Sequence, residues 1–107
     1  MTNLQVVNAF LEGKKANNGR NLWTYTINGK GYNLQVIKQY NAIIGGYTMP
    51  MWKKSKKTLF INNNYLHYSK TTQTIINTII REAEKNGDKI IQKNFTSKLE
   101  KKLDNKQ

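Results

Sequence analysis

Apolar positions near the start of the chain follow a helical period. Leu4, Val7, Phe10 and Leu11 fall at i, i+3, i+6 and i+7, the spacing of one helix face. Thr2 and Gln5 form a Thr-x-x-Gln capping pair and Gly13 is a natural stop, so a helix is predicted over 3–11. The stretch 14–21, KKANNGRN, is polar, basic and glycine-bearing and reads as a flexible loop.

The period then becomes alternating. LWTYTI (22–27) alternates bulky and threonine side chains, NGKG (28–31) supplies turn residues, and YNLQVI (32–37) sets Tyr32, Leu34 and Val36 on one face. Together they predict a β-hairpin. YNAIIGGYT (40–48) reads as a further strand with a bulge or bend at Gly45-Gly46, and Pro50 ends it or marks a sheet edge. The lysine run 53–57 reads as an exposed loop, TLFI (58–61) as a short strand and NNN (62–64) as a turn.

Helical spacing returns in the last third. Ile75, Ile76, Ile79, Ile80 and Ala83 make one apolar stripe, with Gly87 as the cap, and predict a helix over 72–86. Ile91, Phe95, Leu99 and Leu103 recur at i+4, predicting another over about 90–104, with Ser97-x-x-Glu100 as a cap that restarts it. The expected fold is α+β: one domain over 1–107, an antiparallel β-sheet of three to five strands flanked by an N-terminal helix and two C-terminal helices, packed on one face.

Composition removes several classes of function. The chain has no cysteine, which excludes disulfides and thiolate metal sites, and with one histidine neither a transition-metal site nor a cofactor is expected. No apolar run approaches the ~20 residues that span a bilayer. The N-terminus lacks the basic-then-apolar order of a secretory signal, so a cytoplasmic location and no membrane partner are expected. Charge adds more: 18 basic residues against 6 acidic give +12, and thirteen of the basic residues lie in 51–107. Such a field attracts polyanions, nucleic acid first and acidic protein surfaces second.

Two stretches carry candidate chemistry. MPMWKKSKK (49–57) sets Trp52 beside Lys53, Lys54, Lys56 and Lys57. Aromatic next to cation suits unpaired nucleic acid, since bases stack on the ring while lysines neutralise phosphates. Lys14, Lys15 and Arg20, leading into Trp23, widen the surface, and the scarcity of arginine favours backbone over base recognition. YLHYSKTTQ (65–73) holds the only histidine. His67 as base to Ser69, Thr71 or Thr72 has no orienting acid nearby, so no catalytic residue is assigned. One of those hydroxyls caps the following helix, and its start, with Lys70 beside it, is a ready phosphate site.

Leu34 followed by Tyr40-Asn41-x-Ile43-Ile44, and then Tyr68-Ser69-x-Thr71-Thr72, resembles a family of small phage and mobile-element proteins of mostly uncharacterised function. The likeness covers roughly residues 22–85, and isoleucine stands where that family's later motif has a histidine. It implies a phage accessory or anti-defence factor, anti-CRISPR-like, acting on nucleic acid or on a host nuclease complex. The leading expectation is a small, non-enzymatic nucleic-acid-binding protein that prefers RNA or single-stranded DNA. The alternatives are an inhibitor that engages a host nuclease complex through its basic face, and a small phosphodiesterase using His67.

Overall fold

The computed structural model describes residues 1–29, 31–50 and 57–104. Helix α1 (Asn3–Leu11) precedes strands β1 (Leu22–Asn28), β2 (Tyr32–Gln39), β3 (Ala42–Pro50) and β4 (Thr58–Asn62). A 3₁₀ turn (Asn63–Tyr65) leads to helix α2 (Lys70–Lys85), strand β5 (Lys89–Lys93) and helix α3 (Ser97–Asp104). The class is α+β, as expected.

The five strands lie in sequence order, β1-β2-β3-β4-β5. The first three pairings are antiparallel and the fourth is parallel, so the sheet is mixed. The parallel pairing follows from α2, which returns the chain to the end where β4 began. The long helix expected over 90–104 is therefore divided into β5 and α3. Its i+4 apolar spacing is shared between a strand, a connection and a helix.

Both faces of the sheet are covered. Val7 and Phe10 of α1 and Ile75, Ile76 and Ile79 of α2 pack on Leu22, Ile37, Ile44, Leu59 and Ile61. The opposite face carries Tyr25, Ile27, Val36 and Ile43, which pack against Phe95 and Leu103. The expectation that all the helices share one face is corrected: α3 lies behind the sheet, because Trp23, Tyr25, Ile27, Leu34 and Val36 make the opposite face of β1 and β2 apolar. Leu4 leaves the predicted stripe and is exposed, while Val6 is fully buried in its place.

The β2–β3 register carries the bulge anticipated near the paired glycines. Ile37 opposes Gly45 and Lys38 opposes Ile43, which leaves Ile44 as the extra residue. The glycines allow close strand approach: a Cβ on Gly45 would stand 3.1 Å from the Phe60 carbonyl oxygen, and one on Gly46 3.0 Å from that of Gln35. Gly13 and Gly87 close α1 and α2 at positive φ, as the sequence predicts.

Two buried tyrosines make stability depend on alkaline pH. Tyr25 donates to the Leu103 carbonyl at 3.1 Å and Tyr47 to that of Phe10 at 2.6 Å. Burial, reinforced by Asp104 at Tyr25 and Asp88 at Tyr47, pushes both phenols well above their ordinary range. An unfolded tyrosine ionises near pH ~10, so this contribution is complete below that pH and fades as pH rises toward the folded value. Each phenol should withhold about 1.4 kcal/mol by pH ~11. Urea midpoints measured from pH ~9 to ~11 should fall, and Tyr25→Phe should fall less steeply than the parent. Equal slopes would remove the tyrosine from the explanation.

Candidate nucleic-acid interface

The start of α2 is built from hydroxyls, as its sequence suggests, and Ser69 is the capping residue. The Thr72 N–H donates to Ser69 Oγ at 3.1 Å. The Thr72 hydroxyl donates to buried Gln39 Oε1 at 2.6 Å, so the 2.9 Å contact between the two hydroxyls has Ser69 as donor. This chain of bonds fixes the helix end to the end of β2. Thr71 and Lys70 remain exposed on the first turn, and no acidic residue offsets the positive end of the helix dipole there.

Beside this helix end is a hollow of about 560 Å³. Its walls include Asn21, Tyr40, Asn41, Tyr65, Tyr68 and Thr71. Tyr40 and Tyr68 are 64% and 71% exposed, more than any other aromatic side chain among the described residues. Tyr68 meets Tyr65 edge-on at 5.7 Å between ring centroids. Tyr40 stands in the two-residue β2–β3 turn at φ 54, a conformation that a bulky side chain rarely adopts and that costs on the order of 1 kcal/mol. Its N–H donates to the Asn21 carbonyl at 2.8 Å, which ties the turn to the segment before β1.

That segment is a loop, as expected, and side chains hydrogen-bond its backbone. Asn18 Oδ1 accepts from the N–H groups of Arg20 and Asn21 at 2.9 Å and of Leu22 at 3.0 Å. Buried Thr24 and Gln35 both donate to the Lys14 carbonyl, at 2.9 and 3.0 Å. A second hollow, about 330 Å³, is lined by Lys15, Arg20 and half-buried Trp23, and Asn21 belongs to both. Lys15, Arg20 and Trp23 thus line one hollow and Tyr40 and Tyr68 the other, with Asn21 common to both, and exposed Lys70 lies in sequence between Ser69 and Thr71 of the second wall. No carboxylate among the described residues lines either hollow.

The other predicted contacts divide. Trp52, Lys53, Lys54 and Lys56 lie outside the described residues. Lys57 is occupied within the fold: its ammonium pairs with Asp88 at 2.7 Å and lies 5.3 Å from the centre of the Tyr47 ring. Lys14 is exposed and pairs with Glu12 at 3.8 Å. Lys38 is buried beneath α3, pairs with Asp104 and lies 5.8 Å from the Trp23 centroid. Glu82 is held below the usual carboxylate range by its hydrogen bond to Lys85, with Arg81 adding to it. Four of the six acids, Glu12, Glu82, Asp88 and Asp104, are thus engaged with cations, while Lys15, Arg20 and Lys70 have no carboxylate partner among the described residues.

His67 is exposed in the turn before α2 and does not line the hollow. No hydrogen bond joins its ring to Ser69, Thr71 or Thr72. Tyr40 and Tyr68 were not legible from the sequence as surface groups. Tyr40 reads as the first residue of the strand predicted over 40–48, whereas β3 begins at Ala42 and leaves Tyr40 in the turn.

No protein-family model, curated protein or solved structure matches this chain. Among the described residues no helix is long and apolar enough to cross a membrane.

Proposed function

We propose that this protein binds single-stranded nucleic acid, RNA in preference to duplex DNA, as a binding module rather than a catalyst. The observation that carries the reading is a pair of hollows sharing Asn21, one walled by two exposed tyrosines and the other by Lys15 and Arg20, with no carboxylate among the described residues lining either. Unpaired bases stack on tyrosine faces, and lysine with arginine neutralises the phosphates between them. The α2 N-terminus, carrying Lys70 and no acid, favours a phosphate beside the stacked base. A duplex keeps its bases stacked inside and offers the tyrosines nothing. The net charge of +12, to which Lys53, Lys54 and Lys56 contribute, extends the attraction beyond the contact surface. The phage-like motifs supply the setting we attach to this reading, an accessory or anti-defence factor.

Labelled single-stranded RNA, single-stranded DNA and duplex DNA, titrated between about 50 and 200 mM salt, test it. Binding to the single strands should weaken linearly in log–log form, with RNA bound tightest and duplex weakest. Replacing both Lys70 and Arg20 with alanine should reduce the slope by about 1.4, at roughly 0.7 for each phosphate no longer neutralised. Absence of binding at ~50 mM salt, or a preference for duplex, overturns the proposal.

A further inference from the structure

The face of the sheet covered by α3 is covered only in part. Leu34, Phe60 and Leu99 pack against the cluster there but remain partly exposed. The covering chain is short, and Gly46 contributes no side chain opposite Val36. A groove of about 470 Å³ remains, walled by Leu34, Val36, Phe60, Phe95 and Leu99. Among the described residues its charged lining groups are Lys93 and Lys102, both exposed, and no carboxylate lines it. The Lys93 ammonium lies 5.3 Å from the centre of the Phe60 ring, so one cation is held against the apolar wall.

This groove is separate from the tyrosine hollow. The hollow lies at the β2–β3 turn, whereas Tyr32 and Thr48 of the groove stand toward the other end of the same strands. The volume falls within the ~300–1,000 Å³ range of small-molecule sites, and the chemistry is theirs: apolar walls with a few polar groups. A base needs donors and acceptors for its edges, which these walls scarcely provide. A neutral apolar body would leave the two ammonium groups unanswered. We propose that the groove binds a small amphipathic anion, with its apolar body against Leu34, Phe60 and Leu99 and its acid group at Lys93 and Lys102.

Decanoate is a suitable probe, with decanol and decyltrimethylammonium as neutral and cationic controls. Calorimetry on the full chain should give saturable decanoate binding, with decanol at least about tenfold weaker and the cation weaker still. Lys93→Gln with Lys102→Gln, both at exposed positions, should bring decanoate down to the level of decanol. Leu99→Trp should block all three ligands, with circular dichroism checking that each variant is folded. Saturable decanoate binding that an excess of single-stranded RNA leaves in place would separate this site from the proposed nucleic-acid surface. Equal binding of all three ligands, no decanoate binding, or decanoate binding unchanged in the lysine variant overturns the inference.

Discussion

Replacing Asn62 with alanine should cost about 3–5 kcal/mol of stability, a large share of the ~5–15 kcal/mol that holds a domain of this size together. Asn62 is fully buried and its amide is fully used. Nδ2 donates to the Ile43 carbonyl at 2.8 Å and to Glu100 Oε2 at 2.6 Å. Oδ1 accepts from the N–H groups of Asn64 at 3.1 Å and Phe95 at 3.2 Å. One side chain therefore joins β3, the end of β4, the connection after β5 and α3. Alanine strands four polar groups at once, each worth roughly 1–3 kcal/mol when buried without a partner, and water reaches some of them. Urea unfolding should show a lower midpoint with an unchanged slope. Amide exchange should accelerate most at Phe95–Leu103, which Asn62 anchors through Phe95 and Glu100. A cost below about 1 kcal/mol would mean that other hydrogen bonds take the place of these four.

That hub was invisible in the sequence, where Asn62 reads as the first residue of a polar turn. Hydropathy treats a buried amide and a solvated one alike, and only the fold distinguishes them. The same blindness affected Thr24, Gln35 and Gln39, polar positions that are buried because each is hydrogen-bonded. Patterns with their own local physics were legible: both helices with capped ends, the β1–β2 hairpin, the strand over 58–61 and Ser69 as one of three capping candidates. β5 was not, because Ile90 and Ile91 sit among charges and Ile91 continues a helical spacing into Phe95. Its strand identity comes from pairing with β4, a contact made possible only by α2. Of the site, Lys15, Arg20 and Lys70 were legible as charge, whereas the adjacency of the Lys15–Arg20 hollow to the tyrosine hollow depends on the turn and on the tie to Asn21.

The second large effect is expected at those tyrosines, and it separates function from stability. Tyr40 holds a positive φ that glycine adopts freely, so Tyr40→Gly should leave stability unchanged or raise it by up to about 1 kcal/mol. Tyr68 is exposed, and its replacement by alanine should change stability by no more than about 0.5 kcal/mol. Each ring removed should nevertheless cost about 1–3 kcal/mol of binding, as removal of a stacking partner does elsewhere. Because stacking is not an ionic contact, the dependence on salt should remain that of the parent.

The affinity of the Tyr40→Gly, Tyr68→Ala double variant for single-stranded RNA at low salt tests the central claim most directly. We expect a loss of at least about 30-fold in a protein as stable as the parent, with the salt slope unchanged. Undiminished affinity would place any nucleic-acid contact elsewhere and contradict the account.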